Sequence, residues 1–258
     1  MRYTTAVKEN LRTALAATLD FLLPAVCPAC QVAAGPKLCS TCTYQLPALC
    51  DPCPWCAAPR RAQDERCAHC DGAGIPHLYR VQVHHVYCGE VQRLIGLAKT
   101  VGRPAAVRAL SELLPSLPPD APDAGVVVPI PPSPGRRPGP HLGTALAVAC
   151  ARRSHLPFRR LLVTTRLGAE QHRLSPRERR ANVIGLFHCP YPAPAYVVLV
   201  DDLITTGATA SAAAAALRIA GAKRVDLLCL ARTPKHGEFT ASTLSIPAAE
   251  HHLVTAKS

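Results

Sequence analysis

Residues 197–209 read Val-Val-Leu-Val-Asp-Asp-Leu-Ile-Thr-Thr-Gly-Ala-Thr, so two carboxylates and a hydroxyl-bearing glycine turn follow directly on an apolar, β-forming run. That order suits a phosphorylated sugar. Asp201 and Asp202 are acceptors able to hold vicinal ribose hydroxyls. The hydroxyls of Thr205, Thr206 and Thr209, with the backbone N–H groups around Gly207 and Ala208, are donors for a phosphate, and Gly207 permits close backbone approach. The alanine-rich run 211–220, closed by Gly221, reads as a helix whose start adds outward N–H groups and a dipole favourable to an anion. Residues 197–200 read as a buried parallel-type strand, and ligands of open α/β sheets sit beyond the carboxyl ends of such strands. A strand ending in Asp and a Thr helix cap account for any two of these residues. All thirteen in order are better explained by a sugar-phosphate site.

Thirteen cysteines supply a second chemistry. Eight of them form four Cys-x-x-Cys pairs: Cys27 with Cys30, Cys39 with Cys42, Cys53 with Cys56, and Cys67 with Cys70. Two-residue spacing lets both sulfurs of a pair face one tetrahedral ion, and two pairs complete a four-sulfur site. The pattern predicts two structural Zn2+ ions, with adjacent pairs sharing an ion as the simplest arrangement; interleaved pairs satisfy the spacing equally. Disulfides are disfavoured, because no export signal accompanies the cysteines and metal spacing explains eight of them. Cys50 reads as a spare thiol, and Cys88, Cys150, Cys189 and Cys229 as small core residues. His69, His84 and His85 read as surface or core residues, not ligands.

The 197–209 segment resembles the phosphoribosyl-diphosphate (PRPP) motif of type I phosphoribosyltransferases, and within that superfamily the chain is most similar to the ComF family, linked to competence and DNA uptake. Tyr87-Cys88-Gly89, Lys99 after a Leu-Ile-Gly-Leu-Ala stretch, Val128-Pro129-Ile130-Pro131, the segment Gln171 to Arg179, Asn182 and Phe187 fall in the order that family shows, as do the paired cysteines. The likeness covers about residues 27–232. It implies PRPP bound with Mg2+, the two acids on the ribose hydroxyls, the 205–209 turn on the 5-phosphate, and Lys99 and Gln171 at the substrate. One departure stands out. Related proteins carry Arg-Gly-Phe-Asn after the Val-Pro-Ile-Pro strand, whereas this chain has Pro138-Gly139-Pro140-His141.

With 258 residues and 48% apolar composition, the chain can bury an ordinary core. Strand character at 80–87, 125–130, 161–165, 197–200 and 225–230 alternates with helical character at 94–99, 105–114, 141–152 and 211–220. This predicts an α/β domain with a mainly parallel sheet and helices on both faces, the type I phosphoribosyltransferase fold by resemblance, preceded by a small zinc-ribbon module. The expected organisation is an amphipathic helix in 1–25, a double zinc ribbon in 26–75, the phosphoribosyltransferase domain in 76–232 and a loose tail in 233–258. Leu11, Leu15, Leu19 and Leu22 lie at helical spacing, but Lys8, Arg12 and Asp20 interrupt any membrane-spanning run. A cytoplasmic protein holding reduced thiolates is expected.

The formal net charge of +12 is concentrated. Residues 126–200 hold eleven Lys/Arg against two Asp/Glu. Loading eight thiolates with two Zn2+ removes about four positive charges, leaving about +8. Arg136 and Arg137 are placed to meet the pyrophosphate of PRPP, and Arg166, Arg173 and Arg179 to close over it. The same block could track a nucleic-acid backbone or form a solvated basic face; an aromatic content of 4% argues against base stacking. Two functions follow. One is phosphoribosyl transfer from PRPP to an unknown acceptor, with Asp201 and Asp202 in the catalytic site. The other is a non-catalytic, zinc-containing factor that binds PRPP or single-stranded DNA and acts with DNA-uptake or recombination proteins.

Overall fold

The computed structural model describes residues 26–32, 37–60, 66–100, 103–132, 141–165, 185–234 and 244–245. The β-forming stretches become β1 (Ala48–Leu49), β2 (Arg80–Val86), β3 (Val126–Pro129), β4 (Val163–Thr164), β5 (Phe187–His188), β6 (Tyr196–Ile204), β7 (Arg224–Arg232) and β8 (Leu244–Ser245). Helices are α1 (Ser40–Tyr44), α2 (Gly89–Thr100), α3 (Pro104–Leu113), α4 (Leu142–Ser154) and α5 (Ala208–Ile219). Six strands form one sheet in the order β3-β6-β7-β2-β1-β8. The first four are parallel neighbours, while β1 pairs antiparallel with both β2 and β8.

The core lies on both faces of this sheet. On β6, Val197 and Leu199 join one apolar cluster and Val198 and Val200 the other, as alternating side chains of a doubly covered strand must. One face carries α5, whose buried alanines Ala210, Ala213 and Ala214 let the helix lie close. The other carries α2, α3 and α4. Arg153 near the end of α4 donates to the carbonyls of Leu114 and Pro115 (2.9 and 2.7 Å), satisfying acceptors just past α3.

Three features differ from the sequence expectation. The 161–165 strand shrinks to β4, which leaves the main sheet and pairs antiparallel with β5. The 233–258 tail, expected to be loose, contributes β8 against β1. The 26–75 segment contributes β1 to the main sheet and a cysteine loop to each face. Cys27, Ala29, Cys42 and Leu46 pack with α2, whereas Cys53, Cys56, Cys67 and Ile75 pack beneath α5. The expected 1–25 helix lies outside the described residues. Among the described residues, no helix is long and apolar enough to cross a membrane.

At the amino end of the sheet, the fully buried Asp226 accepts from Tyr196 Oη (3.1 Å) and from Arg224 Nη2 (2.9 Å). Arg224 also stacks over the Tyr79 ring at 4.1 Å and pairs with Asp120. Tyr196→Phe leaves a buried carboxylate one donor short and should lower unfolding stability by about 1–3 kcal/mol in chemical denaturation. An unchanged midpoint would show that Arg224 alone satisfies Asp226.

Candidate functional site

The parallel strand β6 runs buried from Tyr196 to Val200, then carries Asp201 and Asp202 as it nears its carboxyl end. The acids were expected just beyond the strand; the structure extends the ladder through them, with Asp201 opposite Cys229 of β7. The turn at Thr205–Thr206 is exposed, and Gly207 adopts φ 80°, the left-handed conformation open to glycine. It starts α5 as a cap with no side-chain hydrogen bond. A glycine cap leaves the first helical amides to other acceptors. Thr206 Oγ1 accepts from Ala208 N at 3.3 Å, and Thr205 Oγ1 meets Thr233 Oγ1 at 3.2 Å, anchoring the turn to the end of β7.

Asp201 and the residues Thr205 to Thr209 line one cavity of about 100 Å³, close to the volume of three water molecules at ~30 Å³ each. That is room for a phosphate-sized group, with a helix start and an acidic residue both in its lining. The two acids are not equivalent. Asp202 is buried (6% exposed) and pairs with Lys99 Nζ of α2 at 2.8 Å, so Lys99, expected at the substrate, is held by an acid of the motif. Asp201 is half-buried and accepts from the Asp202 amide at 2.8 Å. Beneath them, burial and then the charges of Asp201 and Asp202 push the Cys229 thiol well above its ordinary pKa, which keeps it protonated.

Near Asp201 begins α4. A Cβ on Gly143 would lie 3.0 Å from the His141 ring, a tight contact, and 3.5 Å from Asp201 Oδ1, an ordinary one, so the imidazole is what a side chain there would press on. His141 caps this helix: its Nδ1 accepts from Thr144 N at 3.3 Å. A second cavity of about 520 Å³ lies at the end of β3, lined by Pro129, Pro131, His141, Thr144, Arg160 and Leu162. Arg136, Arg137, Arg166, Gln171, Arg173 and Arg179 lie outside the described residues.

The eight paired cysteines form two clusters of adjacent pairs, Cys27, Cys30, Cys39, Cys42 and Cys53, Cys56, Cys67, Cys70, each with all sulfurs within 4.8 Å of one another. Interleaving is therefore not used. The separations Cys30–Cys39 (3.8 Å), Cys53–Cys70 (3.9 Å) and Cys56–Cys67 (3.6 Å) match the edge of about 3.8 Å of a tetrahedron with metal–sulfur bonds of ~2.3 Å. Both clusters fit zinc, which would contribute cross-linking there and no chemistry. Burial raises the Cys27 thiol, but amide hydrogen bonds from Cys39, Cys30 and Ala29 outweigh it and bring its pKa down to about 6. Burial, then neighbouring sulfurs, push Cys42 up; in Cys56 burial again leads, with the Cys53 charge adding. Four thiolates so close together need a cation between them. The histidines singled out belong to neither cluster, and His85 Nδ1 lies 3.3 Å from Pro47 O, beside β1.

Sequence reasoning missed two residues. Arg232 is buried at the end of β7, where its Nη1 donates to Cys56 O at 3.1 Å. Ile75 packs on Gly207. A buried Arg in an otherwise apolar strand was a readable signal; a lone Ile was not.

The fold and site define an α/β protein with a mostly parallel sheet, a phosphate-sized niche at its carboxyl edge and two four-cysteine clusters. No protein-family model matches the chain. It is 41% identical over 73 residues to the DNA utilization protein YhgH of Escherichia coli O157:H7, a stretch covering 28% of this chain and 32% of that protein. The corresponding values are 41% over 70 residues, 27% and 31%, for YhgH of Escherichia coli strain K12, and 38% over 73 residues, 28% and 32%, for that of Salmonella typhi. The chain thus spans about a third of the length of the curated relatives it matches.

Asp202→Asn strips the Lys99 ammonium of a charged partner and should cost roughly 1–3 kcal/mol of stability, with Asp201→Asn costing less. A double-mutant cycle with Lys99→Met measures the pair directly; zero coupling would show that the ion pair is not formed in solution. Purified protein should hold two zinc ions per chain. Each protonated thiol gives up its proton on binding, so zinc affinity should rise with pH, most steeply below the Cys27 ionisation near 6, where that thiol too must lose its proton. Metal content near zero with oxidised thiols would refute the zinc reading.

Proposed function

We propose that this chain is a ComF-like, phosphoribosyltransferase-type protein that binds PRPP with Mg2+ and serves DNA uptake or utilization. The observation that carries this reading is the conjunction of Asp201, the Thr205–Thr209 turn and the uncapped start of α5 around one phosphate-sized cavity. The name of the relatives, DNA utilization protein, supports the biological setting. The 5-phosphate would rest on the turn and Asp201 would accept from a ribose hydroxyl. Asp202, held by Lys99, would keep its partner's charge close to the sugar.

In the enzymatic form, the C1–pyrophosphate bond breaks, an acceptor nucleophile bonds to C1 and loses its proton, and pyrophosphate leaves. The protein supplies positioning and charge stabilisation more than acid–base groups. In the second form, PRPP or single-stranded DNA is bound without turnover. It is favoured by His141, which caps α4 where relatives carry Asn, and by the loss of the Arg-Gly-Phe-Asn arginine. A soluble, cytoplasmic site of action belongs to the same proposal and follows from reduced, zinc-bound thiolates.

Pyrophosphate release from PRPP and Mg2+, with and without DNA or nucleobases, separates the two forms. Asp201→Asn should weaken PRPP binding about ten- to a hundredfold, since each 1.4 kcal/mol is tenfold. Wild-type protein with no affinity for PRPP would end this reading. Single-stranded DNA binding through the 136–180 basic block should fall steeply with salt and weaken on charge reversal at Arg177 and Arg180, while PRPP affinity is spared.

A further inference from the structure

We infer that Ile75 is a positioning residue for the phosphate turn, through which the cluster Cys53, Cys56, Cys67, Cys70 sets the geometry of the ligand site. The inference rests on the reading of 205–209 as that site. Gly207 has no room for a side chain: a Cβ there would overlap Ile75 Cδ1 and lie 3.1 Å from Cγ1. The φ of 80° already favours glycine there, and Ile75, itself buried (6% exposed), fills the space a side chain would take. Its contact falls on the residue that holds φ 80° and begins α5.

Ile75 is fixed from behind by the cysteine loop. Its amide donates to Trp55 O at 3.1 Å, between Cys53 and Cys56, and Ala73 N donates to Cys70 O at 2.8 Å. The Cys53–Cys56 loop is in turn fixed to the sheet, by Val81 N donating to Pro54 O (2.8 Å) and by Arg232 donating to Cys56 O. A continuous chain of contacts therefore runs from sheet to cysteine loop to Ile75 to Gly207. A cavity of about 290 Å³ lined by Cys56, His69, Cys70, Thr206, Gly207 and Ser211 lies beside this contact. Space on that side lets the turn shift once Ile75 no longer presses on it. The turn's own hydroxyl bonds, Thr206 with Ala208 N and Thr205 with Thr233, are exposed and resist that shift weakly.

Hydrogen exchange on the full-length zinc-loaded chain tests this without depending on ligand identity. Ile75→Ala should speed exchange of the 205–209 amides by about tenfold while the centres of β6 and β7 keep their protection and zinc content stays unchanged. Ile75→Leu, which retains a δ-methyl, should restore the wild-type rate. A zinc chelator on the wild type should reproduce the loosening of the turn. PRPP affinity with Mg2+ should fall roughly tenfold in Ile75→Ala and return in Ile75→Leu. Equal exchange at the turn in wild type and Ile75→Ala overturns the inference, as does an acceleration that extends equally through β6 and β7. If Ile75→Ala does not fold, Ile75→Val, which lacks only Cδ1, carries the same comparison with a smaller shift expected. Wild-type protein that fails to bind PRPP ends the functional reading, yet the exchange result still decides the role of Ile75.

Discussion

A strand paired on both sides and covered on both faces can carry a carboxylate only where it emerges or where a cation meets it, because an unpaired buried charge costs several kcal/mol. Here β6 lies between β3 and β7, and its residues from Tyr196 to Val200 are buried. The acids come next. Asp201 opens to the niche, and Asp202 remains inside because α2 ends close enough for Lys99 to reach it. Lys99 lies in the last turn of α2, where the helix dipole also favours a cation. The length of one helix and the burial of one strand together decide which carboxylate is paired inside and which lines the niche.

The local signals were legible. Apolar runs marked β2, β3, β6 and β7, the alanine run marked α5, and two-residue cysteine spacing marked both clusters. The strand at 197–200 was placed correctly but cut short, since Asp-Asp reads as a strand end and not as a continued ladder. Contacts between distant segments left no local trace. The two-residue strands β1 and β8 are too short to show alternation, so the sheet's antiparallel edge was invisible. His141 shows the limit in another way: read from sequence it was a lost Asn, yet its imidazole takes up a helix-capping hydrogen bond.

The cysteine loops are short and hold few apolar residues of their own. Segments of that size seldom bury enough surface to stay ordered without a cross-link. Here each loop combines a sulfur cluster with a face of the sheet: Cys27, Ala29 and Leu46 on the α2 side, Cys53, Cys56 and Ile75 on the α5 side. Arg93 of α2 donates to Ala29 O on the first side, and Arg232 of β7 to Cys56 O on the second. A metal held by the sulfurs would stabilise the same backbone that sheet packing stabilises, so each loop is tied to the α/β core at the residues that carry its cysteines.

A carboxylate in the lining of a phosphate-sized niche also constrains what can occupy it. The α5 start attracts an anion, but Asp201 in the same lining repels one that has only acceptors to offer. Inorganic phosphate meets both at once. A sugar phosphate that presents hydroxyl donors to Asp201 converts the repulsion into a charge-assisted hydrogen bond, and a divalent cation carried with the ligand screens what remains. Selectivity in such a site arises less from the donors around Gly207, which are common to many helix starts, than from the acid that shares the lining with them.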